Sequence, residues 1–449
     1  MLRAWRSNGR LWLIQSAILA VFLCIPLWTR LPEYLPIFPS LYVTRFVIFI
    51  LMVVAIGLWL LLGLPGLRSF ARERWRALWA IALITLGIWG FASTGWAFIG
   101  RLYPEVGETA ALQLGVMMLF VVAVGCAGPP PRAIVAALVI GLLGSSLITF
   151  GQAAKQAALG LTVLGELPYS DWTSGMSFVR AGDIQYLRPY GLMPHPNMLG
   201  GVLVVGLLAA AAWILSERRW QRYAGTLVFA LGLYALLLTF SRTAWGALVV
   251  GLVVALLLAR KHLRRSEVRR TLALAVGLAF VAGIVFFVNY RPLLAARVGE
   301  GQESIEQRSI SDRIVFTEFA LTSIAERPIL GVGIGNFPWR TSYLLVDTFY
   351  DMRGDNVHNI YLSAWAELGI VGLTLYLAAL GFGVVGGIKA IRLSPPLHNV
   401  ERGAGSEVER LALFAIFVAL AAAGMLDHYP YTAVQFQVAL WGCLAAVLG

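Results

Sequence analysis

The chain has 449 residues, 59% of them hydrophobic and only 13% charged, with a mean hydropathy of +0.78. Soluble domains carry roughly 25% charged residues, so this composition excludes a soluble globular enzyme and indicates an all-α polytopic membrane protein. The formal net charge of +12 comes from short basic clusters set between apolar runs; that is the pattern of topology signals and speaks against nucleic acid as a partner.

A crossing helix needs about 20 mostly apolar residues. In chain order the candidate spans are 11–28, 42–64, 77–99, 108–126, 132–150, 197–215, 223–240, 243–260, 271–289, 360–388, 410–427 and 431–449, about 12 transmembrane helices in one integral membrane domain, 1–449. The first follows a basic start and is not followed by a small-x-small cleavage site, so it reads as a retained span. The seventh and eighth are nearly fused, because Arg242 is the only charged residue between Ala224 and Ala259. At about 1.5 Å per residue that run is too long for one ~30 Å crossing, and a tight hairpin is expected at 239–243. Cys24, Cys126 and Cys443 all fall inside apolar runs, which argues against a disulfide framework or a zinc site.

The basic clusters orient the spans. Arg3, Arg6 and Arg10 precede the first. RSFARERWR, ERRWQR and RKHLRRSEVRR follow the second, sixth and eighth, and Lys389, Arg392, Arg402 and Arg410 lie between the tenth and eleventh. With twelve spans all five clusters fall on one side, the cytoplasm by the positive-inside rule, together with both termini. The opposite side carries two long loops, 151–196 and 290–357, expected to be periplasmic and to contain short helices. Long loops concentrate function. ATP and nucleotide sugars are absent there, so a reaction on that side needs a donor already activated and carried across on a lipid. The chain shows no clear internal repeat, which counts against a transporter or lipid flippase built from related halves.

The strongest chemical signal is HNIYLSAWAELGIVG, 358–372: His358, Asn359, nine residues, then Gly369 and Gly372. Asp355 and Asn356 are good helix caps, so His358 is expected in the first turn of a helix. The dipole there favours the neutral imidazole, the form that accepts a proton. Taken singly, the histidine could instead be an interfacial residue and the glycines helix-packing positions. Arg242, with Ser241 as a cap, stands where a helix N-terminus can receive phosphate, or where an arginine simply snorkels at a turn.

Arg313, in SISDRIVFTEFAL, is expected on an amphipathic helix that starts at Ser311 or Asp312. Arg188 lies in LRPYGLMPHPNMLGG before the sixth span. Each is a candidate for phosphate binding or an ordinary solvated charge. Arg291, Arg297, Arg308 and Arg327 offer no reason for an equal rank. GVGIGN, 331–336, resembles a phosphate-binding glycine loop but lacks the flanking strand and helix. It reads as a tight turn that brings backbone close to something, a signal of low specificity. His195, between prolines, and His428, after Asp427, read as structural. There is no HExxH, Asp-x-Asp loop or Cys/His cluster, so neither a metal nor another cofactor is expected.

Together, LLLTFSRTAWGAL, SDRIVFTEFALTSIAERPILGVGIGNF and VHNIYLSAWAELGIVGL resemble segments of the O-antigen ligase family of bacterial envelope glycosyltransferases. The last of them fits the family's His-(Asn/Ser/Gln)-x9-Gly-x-x-(Gly/Thr/Tyr) signature. The resemblance implies a GT-C-like, inverting enzyme, independent of metal and ATP. Such an enzyme moves a glycan from undecaprenyl diphosphate to lipid A–core in the periplasmic leaflet of a Gram-negative inner membrane. It implies His358, Arg242 and Arg313 as catalytic, and Arg242, Arg313 and Arg188 as ligands of the diphosphate. Membrane lipids are the expected surroundings, with no obligatory protein partner. Glycan polymerases and protein O-oligosaccharyltransferases share the donor and differ in acceptor, so they stand as alternatives.

Overall fold

The computed structural model describes residues 2–31, 42–170, 175–298, 304–346, 355–392 and 407–449. Its helices begin with α1 (Leu2–Leu23), α2 (Val47–Leu61), α3 (Leu67–Arg72), α4 (Arg74–Ser93), α5 (Pro104–Ala127) and α6 (Pro131–Lys155). Then come α7 (Pro196–Ile214), α8 (Arg219–Leu238), α9 (Arg242–Leu258), α10 (Ser266–Val298), α11 (Ser304–Glu326) and α12 (Phe337–Leu345). The chain closes with α13 (Ile360–Arg392), α14 (Glu407–Ala423), α15 (Tyr429–Thr432) and α16 (Val434–Leu448). Seven of these, α4, α5, α6, α7, α8, α10 and α13, are long and apolar enough to cross a membrane. Shorter apolar helices are formed by Gly9–Leu23 of α1, α2, α9 and α16. Each apolar run read from the sequence overlies a helix, and α3, α11 and α12 lie between runs.

Proline opens α5, α6 and α7, where a missing N–H costs nothing. Two helices are broken inside. α10 leaves helical geometry at Tyr290 (φ −123°, ψ 16°) beside Pro292, which removes one hydrogen bond and clashes with the preceding turn. α13 breaks at Gly369 (φ 66°, ψ −173°).

The bundle packs around α7, buried over 83% of its apolar stretch and in contact with α6, α8, α9 and α14. The basic segments gather at one end. There Arg265 pairs with Glu217 at 3.1 Å and Arg222 with Glu267 at 3.2 Å. Lys261 pairs with Glu407, and Lys389 lies 4.7 Å from the Trp75 ring. The other end carries the long loops. In the first, the structure adds what the helix-only expectation lacked, an antiparallel hairpin of β1 (Phe178–Ala181) and β2 (Ile184–Leu187). Its inward residues, Val179 and Tyr186, face one side together, and Tyr186 packs 5.4 Å from Phe240 and 5.2 Å from Tyr290. The hairpin therefore clamps the α8–α9 turn against the kink of α10.

Candidate active site

The site is built where α13 begins. Asn359, not Asp355 or Asn356, caps that helix: its Oδ1 accepts hydrogen bonds from the Tyr361 and Leu362 amides at 2.9 and 3.0 Å. His358 therefore sits just outside the helix, before the cap, rather than in the first turn. Asn359 satisfies the free N–H groups that the sequence reading had aimed at the histidine.

Three bonds tie this point to the end of α14. The Ile360 amide donates to Gly424 O at 2.8 Å, Asn359 Nδ2 to Met425 O at 3.3 Å and Tyr361 OH to Ala421 O at 2.9 Å. They bring the turn after α14 against His358. The His358 and His428 rings stand 5.3 Å apart, edge to face. Ligand atoms of His358, Asp427 and His428 all lie within 4.8 Å of one another. Asp427 is buried and held by two donors, Asn197 Nδ2 at 3.1 Å and the His428 amide at 2.9 Å.

His358 Nδ1 is buried without a hydrogen-bond partner. Burial pushes the imidazole below its usual value; the Asp427 carboxylate works against this, and His428 and Arg313 add to it. Burial and neighbouring positive charge, rather than a helix dipole, thus favour the neutral imidazole. His195 belongs to the same group. The mass of surrounding protein, then Arg188, His428, His358 and Arg297, hold its imidazole well below the usual range.

The arginines converge from four elements. Arg188, after β2, is buried: Nε donates to Thr239 O at 2.7 Å, Nη1 to Ser177 Oγ at 2.8 Å and Nη2 to Asn197 Oδ1 at 2.7 Å. Burial lowers its pKa to about 10, against the charges of Tyr190 and Asp427. These bonds fasten the loop, the α8–α9 turn and the start of α7 to one another. That turn is the expected hairpin at 239–243. Phe240 adopts φ +50°, and Ser241 caps α9 through the Ala244 amide at 3.4 Å. Arg242 is thereby exposed at the first position of α9, with Nη1 donating to Arg297 O at 3.0 Å.

Arg297 is buried on the tail of α10, its Nε donating to Phe240 O at 3.3 Å. It feels the charges of Arg188, Arg242 and Arg313. Arg313 lies well inside α11, which starts at Ser304 and not at Ser311 or Asp312. Its Nε is buried and unpartnered. Like charges gathered in one region repel, and an anion between them would relieve that repulsion.

The fold brings His358, Arg242, Arg313 and Arg188 into one region. It adds Arg297, Asp427, His428 and His195. Arg297 looked like one loop charge among several; the Pro292 kink turns it inward. The Asp427–His428 pair at the end of an apolar run was the available signal for the other half.

No metal-ligand motif is visible along the chain, yet His358, Asp427 and His428 form a set that could hold a metal ion. The chemistry around it opposes that use. The guanidinium groups of Arg188 and Arg313 lie close enough to place positive charge beside Asp427 and His358, which disfavours a further cation there.

The glycine loop supports the site from behind. Where α13 breaks, the Val332 amide donates to Ala366 O and the Gly333 amide to Glu367 O, both at 2.9 Å. Trp89 Nε1 donates to Leu368 O and the Ile370 amide to Pro328 O, again at 2.9 Å. GVGIGN is therefore a docking turn for α13.

Residues 227–377 match the family model described as O-antigen ligase. That segment, about a third of the chain, runs from α8 through Arg242, Arg297, Arg313 and His358 into α13, and over it the chain is similar to the O-antigen ligase family. No protein in the curated comparison matches the chain.

Proposed function

We propose that this chain belongs to the O-antigen ligase family and transfers O-antigen polysaccharide from undecaprenyl diphosphate to lipid A–core, at the periplasmic face of a Gram-negative inner membrane. The observation that carries this reading is a buried histidine beside a buried carboxylate, with a cluster of arginines close by. In this mechanism the acceptor hydroxyl attacks the anomeric carbon of the donor glycan. His358 takes its proton, and Asp427 stabilises the imidazolium that forms. The anomeric C–O bond breaks, and the leaving diphosphate carries away the electron pair. Arg242, Arg297 and Arg313 offset the charge that develops on it. Arg188 holds the α8–α9 turn that presents Arg242. Attack opposite the leaving group inverts the anomeric centre, and the activated donor makes ATP unnecessary.

The test is transfer by the purified protein in detergent, from undecaprenyl-diphosphate glycan to lipid A–core and, separately, to a peptide and to a second donor glycan. Product on lipid A–core alone is expected. Transfer only to peptide or to a second glycan would replace the ligase reading with an oligosaccharyltransferase or a polymerase.

A further inference from the structure

Beside His428 lies a partly open cavity of about 190 Å³, bounded by α5, α12, α13, α15, α16 and the glycine loop and lined by both polar and apolar groups. Its polar lining is Gln113, Asn356, Glu367, Tyr431, Thr432 and Gln437. It adjoins the reaction centre on two sides. Thr432 Oγ1 is 2.9 Å from His428 Nδ1, and Asn356 stands two residues before His358. We propose that this cavity is the subsite for the saccharide ring of the acceptor, an uncharged, hydroxyl-rich ring oriented by Glu367. This rests on the glycan-transfer reading above.

Three observations lead there. Glu367 is only 2% exposed, and its partners are neutral: Tyr431 OH at 3.2 Å on one oxygen, the Phe337 amide at 3.4 Å on the other, and the Gly335 amide. A buried carboxylate is costly to keep, yet the proton-transfer chemistry at His358 does not use this one. Each carboxylate oxygen has two acceptor positions, so a ring hydroxyl can donate to it beside the existing bonds. Second, Gln113 is held in place by bonds of 3.0 Å to Thr432 O and to Gln437 Oε1, which pre-orients an amide towards the same space. Third, Leu114, Ile334 and Pro338 supply an apolar wall, suited to the C–H face of a sugar ring. The mix of a rigid apolar side and converging polar groups is that of a small-molecule site. The diphosphate has its own cationic cluster, and a carboxylate would repel it, so the cavity fits the acceptor and not the donor head.

The experiment uses the full chain in nanodiscs, with undecaprenyl-diphosphate glycan saturating and lipid A–core varied. Glu367→Gln preserves shape and the Phe337 contact but leaves a single acceptor oxygen, and Tyr431 OH then accepts from the amide; Ala110→Leu narrows the cavity from α5. Glu367→Gln should raise the KM for lipid A–core about tenfold, the loss of one strong hydrogen bond, and Ala110→Leu should raise it at least as much by filling the space, both with kcat, donor affinity and melting temperature unchanged. Unchanged KM in both variants overturns the subsite, as does a parallel fall in melting temperature and donor affinity, which would make Glu367 a structural anchor. A wild-type protein that transfers nothing to lipid A–core sinks the ligase reading instead.

Discussion

A Cβ on Gly331 would lie 2.6 Å from the Gly369 amide nitrogen, and one on Gly369 would lie 1.9 Å from Ile329 O. The two glycines meet where α13 breaks, and both adopt positive φ, +71° and +66°. Gly369, with ψ −173°, occupies a region of backbone space that is almost wholly glycine's. This contact sets the direction in which the His358 end of α13 leaves the bundle.

Gly369→Ala should therefore destabilise the protein by at least about 1–3 kcal/mol from backbone strain alone, with the clash adding to it. Thermal unfolding in detergent measures this. A melting temperature equal to wild type would show that the loop and helix can separate without consequence.

His358→Ala is expected to reduce transfer about 10²–10⁴-fold while donor binding persists. The base must be neutral, and burial holds its pKa below the usual 6.5, so the rate should rise with pH on a limb lying below that value and plateau near neutrality. Asp427 raises the His358 pKa. Asp427→Asn should then move the limb to still lower pH and lower the plateau, whereas His428→Gln should move it upwards. A pH–rate profile for each variant decides. Identical limbs in all three proteins would remove His358 from the proton transfer.

The arginines should separate by role. Arg242→Ala should weaken donor binding roughly 10–100-fold, as loss of a charge-assisted bond does, and lower turnover too. Arg242→Lys should restore part, since lysine lacks the planar fork. Arg297→Ala and Arg313→Ala should resemble Arg242→Ala. Arg188→Ala should instead cost stability, by about 1–3 kcal/mol for each polar group left unpaired at Thr239, Ser177 and Asn197. Donor affinity and melting temperature, measured side by side, distinguish the two classes.

Chelation should leave the rate unchanged. The His358, Asp427 and His428 set could bind a metal, but the nearby guanidinium groups oppose a divalent cation. Transfer assayed after EDTA treatment, without nucleotide, checks this. Activity lost to EDTA and regained with one divalent ion would turn that set into a metal centre.

Local patterns determined much of this protein. Apolar run length specified where helices lie, because the bilayer allows few alternatives. A single charged residue, Arg242, marked the α8–α9 turn, and the spacing from His358 to Gly369 and Gly372 marked the site. These signals lie within one segment each and need no knowledge of neighbours. Tertiary structure decided the rest. Asp427 reaches His358 only because the end of α14 is bonded to the start of α13, and Arg297 only because Pro292 bends α10. The work of GVGIGN appears only once the carbonyls freed by the break at Gly369 face it. Each is a meeting of segments distant along the chain, and periodicity and propensity carry no information about which distant segments will meet.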